Sequence, residues 1–290
     1  MRIAMFSAAL PQPSRKPGGV DIYISRLSDH LARAGEEVCV FSYAPAPPDA
    51  SYEHVRLRPH RFANSALARM PVVPFQLNRL SFPGADVLHL HSDDYFFTRR
   101  DLPTVRTFHG SALFEAVFAA RWRRRITQGA TVPLEVRAAR LATARFAVAP
   151  GTENWLGVDG DLPCGIDPPA EAASPEEAPT ILFVGTWAGR KRGAFLHDVF
   201  EREVLPRVPD AQLWMVSDHC VESERVRWFA RPSDEEFGRA LVEGLSSADV
   251  RERYVERGRE RVKRFSWERV VEDHIRAYEL AIARFSREAA

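Results

Sequence analysis

Four short stretches of this 290-residue chain hold residue types suited to phosphate or sugar chemistry. The first is Lys16-Pro17-Gly18-Gly19-Val20, set between an apolar run and an amphipathic one. Paired glycines let backbone N–H groups approach a phosphate or sugar where a helix begins, and the helix dipole favours an anion there. A flexible loop between a strand and a helix would read the same way. The dinucleotide fingerprint GxGxxG is absent, which removes the main support for a dehydrogenase.

The most specific signal is Gly185-Thr186-Trp187-Ala188-Gly189-Arg190-Lys191-Arg192-Gly193. Three consecutive cations sit between glycines in a strand-to-helix turn. Glycine frees the backbone, and Arg and Lys neutralise phosphate charge through strong charge-assisted hydrogen bonds. A solvated basic loop is the alternative.

Two further stretches carry histidines. Thr107-Phe108-His109-Gly110 ends a buried run in His–Gly, and residues at the carboxyl ends of parallel strands face the ligand crevice. In His89-Leu90-His91-Ser92-Asp93-Asp94-Tyr95, alternation sends His89 and His91 to one side of a strand, with an acidic pair at its end. His91 and Asp93 are candidates for lining an acceptor pocket. No third His or Cys stands at ligand spacing nearby, so no metal site is expected. Two charge runs, Arg121–Arg125 and Glu252–Lys263, have helical spacing and read as solvated faces.

These residues need a scaffold. Arg2–Ser7 reads as a first strand, and Val20–Ala34 as a helix with Ile22, Ile24, Leu27 and Leu31 in its apolar pattern and Gly35 past its end. Glu37–Ser42, Asp86–His91, Thr104–His109 and Arg145–Ala149 are further strands, while Leu113–Gln128 and Leu134–Thr143 are helices. His60–Leu80 is broken by prolines and takes no assignment. After the Pro/Ala/Glu-rich stretch Pro168–Pro179, a second cycle begins with the strand Thr180–Val184, a helix from about Ala194 to Arg207 and the strand Gln212–Ser217. Val226–Phe229 is a further candidate strand. From Asp234 onward the pattern is helical except at Arg264–Ser266. The first half has room for five or six strands and the second for only two or three, so the second sheet is expected to bare its edges and one face.

Composition narrows the class. A formal net charge of +1 provides no global field for nucleic acid or an anionic membrane. Cys39, Cys164 and Cys220 are odd in number and widely spaced, a pattern of the reducing cytoplasm. No apolar stretch approaches the ~20 residues that span a bilayer, which leaves at most peripheral membrane contact.

In their order and spacing these pieces resemble retaining glycosyltransferases of family 4, which have the GT-B architecture. The matching stretches are GGVDIYISRLSDHLARAGEEVCVFS, DVLHLHS, TFHGS, LPCGIDP, ILFVGTWAGRKRG with PDAQLWMVSD, and the closing RERYVERGRERVKRFSWERVVEDHIRAYELAI. The resemblance implies an α/β fold of two facing Rossmann-like domains. Residues 1–167 would bind the acceptor, 168–179 would link, 180–265 would bind a nucleotide diphosphate sugar, and 266–290 would form a helix crossing back to the first domain. It implies retaining, metal-independent transfer to the hydroxyl of a small-molecule or glycan acceptor, with no cofactor beyond the nucleotide sugar as co-substrate. Gly18 and Gly19 would lie near the donor diphosphate, Lys191 with Arg190 would hold it, and His109 would contact the transferred sugar. Where the family has an Arg after the strand's Gly, this chain has Thr186, so Arg190 and Arg192 would supply that charge. The hinge pattern is intact as Pro163, Gly165, Ile166 and Asp167.

One departure is large. After Glu236 the family pattern continues through a strand, a glutamate motif and a further strand, on the order of 60 residues or two strand–helix units. Here the chain passes directly to FGRALVEGLSSADVRERYVERG. Glu235 and Glu243 have the E-x7-E spacing of a ribose- or sugar-holding pair, a spacing that chance also supplies. Two functions follow from the resemblance: a glycosyltransferase, or a non-catalytic remnant that binds without transferring. A dehydrogenase-like nucleotide binder is a third and weaker reading.

Overall fold

The computed structural model describes residues 1–12, 18–58, 66–91, 94–119, 121–149, 151, 154–167, 179–185, 187–188, 191–216 and 234–289. They divide into two compact units: Met1–Ala116, Ile126–Asp167 and Arg264–Ala290 form one, and Val117–Arg125 with Pro168–Lys263 form the other.

In the first unit, seven strands are described: β1 (Arg2–Ser7), β2 (Glu37–Ser42), β3 (Glu53–Arg56), β4 (Val87–Leu90), β5 (Thr104–Phe108), β6 (Ala144–Ala147) and β7 (Gly160–Asp161). They form one parallel sheet in the order β3-β2-β1-β4-β5-β6-β7. Parallel strands buried on both faces read as continuous apolar runs, which is why the inner strands were legible. The short edge strands β3 and β7 carry Glu, His, Arg, Gly and Asp and offered no such run.

Alternation sorts the side chains into two layers. Ile3, Met5, Val38, Val40, Val87 and Val105 pack against α1 (Gly19–Arg33) and α8 (Trp267–Ala289). Ala4, Phe6, Phe41, Leu88 and Leu90 face the opposite way, onto Val73 and Leu77 of α2 (Ala66–Leu77). Helix α1 buries Tyr23, Ile24, Leu27 and Leu31, one stripe at helical spacing. Full burial of each leucine is worth about 1.5–3 kcal/mol. The helix stops at Gly35, whose φ of +97° suits a residue without Cβ.

Two assignments differ from the sequence reading. The unassigned His60–Leu80 region contains α2 despite Pro71 and Pro74, because Val73 and Leu77 bury completely against the sheet. The helices expected at Leu113–Gln128 and Leu134–Thr143 are instead α3 (Ala112–Val117) and α4 (Trp122–Leu141). Helix α4 continues through Gly129 and Pro133, and burial of Thr131, Glu135, Ala138 and Ala139 outweighs the lost backbone bond.

The second unit is built on β8 (Thr180–Val184) and β9 (Gln212–Val216), paired in parallel. Ile181 and Leu213 pack with α5 (Gly193–Val199), the π-helical turn Phe200–Val204 and α6 (Asp234–Ser246). Gly238 of α6 lies so close to Glu203 that an added Cβ would stand 2.6 Å from the Glu203 Cβ. The opposite face is bare: Leu182, Val184 and Trp214 are 59%, 65% and 46% exposed. Helix α6 runs unbroken through Glu236 and Phe237. Helix α7 (Ala248–Val262) follows, its first turn capped by Ser247, whose hydroxyl accepts the Val250 N–H at 3.3 Å. The candidate strand Val226–Phe229 lies outside the described residues.

Candidate functional site

In the first sheet the strand order reverses beside β1. The chain goes from β1 to β2 and β3 on one side, then returns to β4 on the other. Loops leaving the carboxyl ends of β1 and β4 therefore diverge, opening a crevice of the kind that binds ligands in doubly wound sheets. The loop after β1 carries Gly18 and Gly19, β4 leads directly to His91, and β5 leads to His109.

The two histidines meet: His91 Nδ1 lies 3.0 Å from His109 Nε2. Tyr23, little more than one turn into α1, sets its ring edgewise to His109 at 5.1 Å and to His91 at 5.9 Å. Burial first, and then the charges of Arg106 and His274, lower the His109 pKa to about 4. Desolvation likewise holds His91 well below the ordinary histidine range. Near neutral pH both rings are uncharged, so each offers one donor and one acceptor. His91 Nε2 is buried and has no hydrogen-bond partner among the described residues.

A second layer supports this pair. His89, completely buried, lies 2.9 Å through Nδ1 from the Tyr278 hydroxyl and 2.8 Å through Nε2 from the Thr107 hydroxyl. His274 of α8 reaches the Tyr23 hydroxyl at 2.7 Å, and its other nitrogen donates to the Val270 carbonyl at 2.6 Å. Burial lowers the His274 pKa to about 4. The backbone after His109 is pinned too: both carboxylate oxygens of the buried Glu135 accept the Ala112 N–H, at 3.0 and 3.1 Å. Behind the sheet, Asp94 and Arg106 form a buried ion pair. The sequence reading did not single out Tyr23, His274, Tyr278 or Glu135. A signal was available in α8, where His274 and Tyr278 stand one turn apart in the apolar stripe Trp267, Val270, Val271, Ala277, Ala281.

Gly18 precedes α1 in an extended conformation, and its N–H donates to the Asp21 carboxylate at 3.2 Å. One of the N–H groups proposed for an anion is thus engaged within the helix start. Gly19 has open space where a Cβ would stand.

In the second unit the described residues flanking the basic loop lie close together. A Cβ on Gly185 would lie 2.8 Å from the Phe183 ring and 3.1 Å from the Lys191 Cβ, so only glycine fits. The Ala194 N–H donates to the Trp187 carbonyl at 2.9 Å. Lys191 is exposed. Arg192 adopts a left-handed φ of +59° and lays its guanidinium 3.8 Å over the Phe195 ring. Glu235 and Glu243 are exposed on the single helix α6, separated by about 12 Å along its axis. Asp93, Thr186 and Arg190 lie outside the described residues. Among the described residues, no three His, Cys, Asp or Glu side chains are grouped to hold a metal ion, and no helix is long and apolar enough to cross a membrane.

Gly165, Ile166 and Asp167, for which the resemblance implies a hinge, make their contacts within the first unit. A Cβ on Gly165 would stand 2.4 Å from the Trp267 ring, which stacks on His30 at 4.4 Å. Asp167 pairs with Arg26 of α1, and the Ile166 N–H donates to the Phe265 carbonyl at 2.9 Å.

Comparison with known proteins agrees with this architecture. Phosphatidyl-myo-inositol mannosyltransferase of Mycobacterium tuberculosis is 27% identical over 242 residues, covering 74% of this chain and 60% of that protein. Its counterpart from Mycolicibacterium smegmatis is 26% identical over 246 residues, covering 74% of this chain and 58% of its own. The chain thus spans about 60% of the length of the curated relatives it matches. A glycosyltransferase from Rickettsia africae superposes with a TM-score of 0.55 at 11% identity, covering 96% of this chain and 98% of that one. AviGT4, a glycosyltransferase involved in avilamycin A biosynthesis, gives 0.50 at 13% identity, covering 97% and 98%. These likenesses show an α/β fold of the GT-B type. The profile of Glycosyltransferase Family 4 matches residues 17–167, just over half of the sequence, and the chain belongs to that family.

Proposed function

We propose that this protein is a glycosyltransferase that moves a sugar from a nucleotide diphosphate sugar to an acceptor hydroxyl, with retention and without a bound metal, in the cytoplasm. The observation that carries the reading is His109: an imidazole kept neutral by burial, oriented by His91, and presented at the carboxyl edge of the sheet beside the glycine-led start of α1.

A neutral ring at that place exchanges one hydrogen bond with a sugar hydroxyl without adding charge. The leaving diphosphate gains negative charge as the glycosidic bond breaks. Lys191, Arg190 and the backbone N–H groups at Gly19 are the groups assigned to meet it, in place of a cation. His91 and Asp93 are assigned to the acceptor side. The acceptor is a small molecule or glycan, nucleic acid is no partner, and membrane contact is at most peripheral.

The exposed face of Leu182, Val184 and Trp214 favours a second reading, a remnant that binds without transferring. Within it, the segment absent near Glu236 would have covered that face and supplied the ribose-holding glutamates, a role Glu235 and Glu243 fill poorly from one exposed helix. The experiment incubates the purified chain with a panel of nucleotide diphosphate sugars, mannose donors first because the curated relatives are named mannosyltransferases. Release of nucleoside diphosphate that depends on acceptor and on His109 supports transfer. Donor binding with no turnover favours the remnant.

A further inference from the structure

At the opposite end of the first sheet, beside the amino ends of β5 and β6, lies a half-open cavity of about 580 Å3. Its walls include Arg100, Arg140, Arg145 and Arg284, with Glu288 at its margin. His109 follows the far end of β5, roughly 13 Å away along the strand, so this cavity is separate from the crevice.

Three of the arginines are held by backbone carbonyls, most of them in or just after the last turn of α4. Arg100 donates to the Leu141 carbonyl, Arg145 to the carbonyls of Ala139 at 3.1 Å and Gly157 at 2.6 Å, and Arg284 to the Thr143 carbonyl at 3.3 Å. Cations are expected where a helix leaves its last carbonyls unbonded. That role explains part of the cluster and leaves charge over. Among the described residues, four guanidiniums face two carboxylates: Glu288, and Asp159, which accepts from Arg284 at 2.8 Å and from the Arg145 N–H at 2.9 Å. Arg140 is exposed on the last turn of α4, and no carboxylate among the described residues pairs with it. Carbonyls neutralise no charge, so Arg100 and Arg145 keep theirs, and each retains guanidinium N–H groups for a further acceptor.

We infer that this cavity is a binding site for a phosphorylated ligand carrying at least two negative charges, held by Arg140 together with the pre-positioned Arg100 and Arg145. The volume lies within the range of small-molecule sites. Guanidiniums already locked by carbonyls lose little freedom on binding, and their planar forks match phosphate oxygens. The ligand is either a soluble phosphate ester or a phosphate-bearing lipid headgroup.

The test titrates the full chain with inorganic pyrophosphate at low salt, and separately with vesicles of phosphatidylcholine containing phosphatidic acid. Both are repeated with Arg140→Ala and Arg140→Lys, each checked for an unchanged melting temperature, and with Lys191→Ala to separate the basic loop of the second unit. The expected result is a pyrophosphate affinity that survives Lys191→Ala, falls about tenfold in Arg140→Ala and largely returns in Arg140→Lys. The same Arg140 dependence on vesicles with no pyrophosphate binding supports the site with a lipid as its source. Binding of both probes that is indifferent to Arg140→Ala, or no binding of either, overturns the proposal.

Discussion

His91 and His109 leave neighbouring parallel strands and meet ring to ring, Nδ1 to Nε2, at 3.0 Å. Each strand ends one residue before its histidine, so the pairing of β4 with β5 sets the spacing of the rings before any ligand arrives. If the transferred sugar leans on His109 in the transition state, His109→Ala lowers turnover by about a hundredfold while donor affinity changes little. Steady-state kinetics, direct donor binding and melting temperature, measured together, check this. A variant that is less stable yet fully active in the cold removes His109 from the chemistry.

Beside the acceptor-side role proposed for it, His91 holds the His109 ring through the hydrogen bond between them. His91→Phe keeps the volume but loses one hydrogen bond, so turnover is expected to drop by about tenfold with donor affinity retained. Parallel loss of donor affinity and thermal stability would make His91 a packing residue alone.

Acid should unfold the first unit through its histidines. His89, His91, His109 and His274 are all held below the ordinary pKa of about 6.5, chiefly by burial, with His109 and His274 near 4. Between pH 6.5 and about 4 the unfolded chain binds these protons and the folded chain does not. Stability is therefore full above 6.5 and falls as pH drops through that window, by on the order of a few kcal/mol in sum. Urea unfolding at pH 7.5, 6 and 5 measures this. Replacing His274 with Phe is expected to flatten the slope, and an unchanged slope would show that ring to be already protonated in the fold.

The close approach at the hinge sets a strict requirement. Gly165→Ala places a Cβ 2.4 Å from the Trp267 ring, which must then shift away from His30. Overpacking of this sort costs about 1–3 kcal/mol. Chemical denaturation gives the loss directly, and the paired variant Gly165→Ala/Trp267→Leu is expected to recover part of it.

The basic loop and the metal-independent transfer proposed above make a joint prediction. Arg190→Ala/Lys191→Ala weakens nucleoside diphosphate binding at least about tenfold, because charge-assisted contacts to phosphate are the strong class of hydrogen bond. Chelation with EDTA leaves both that binding and any turnover unchanged. Calorimetry reads the first and nucleotide release the second. A chelator-sensitive signal would replace the cationic loop with a metal as the partner of the leaving group.

Much of this was already legible along the chain. The inner strands declare themselves through unbroken apolar runs, α1 through its stripe and terminal Gly35, and His109 and His91 through their places at the ends of buried strands. The two described strands of the second unit were legible as apolar runs too, and on them Leu182, Val184 and Trp214 lie in solvent. Such features rest on local periodicity and on residue type, which a sequence carries directly. What only the tertiary structure decided were relations between distant residues. The order β3-β2-β1-β4-β5-β6-β7 puts the crevice between β1 and β4. Helix α8 brings His274 to Tyr23 and Tyr278 to His89 across 251 and 189 positions of chain. Packing also carried α4 through Pro133 and formed α2 around two prolines, where burial outweighed propensity. Local spacing cannot report such contacts, because their energy comes from the apolar surface and the buried hydrogen bonds that exist only once the layers close.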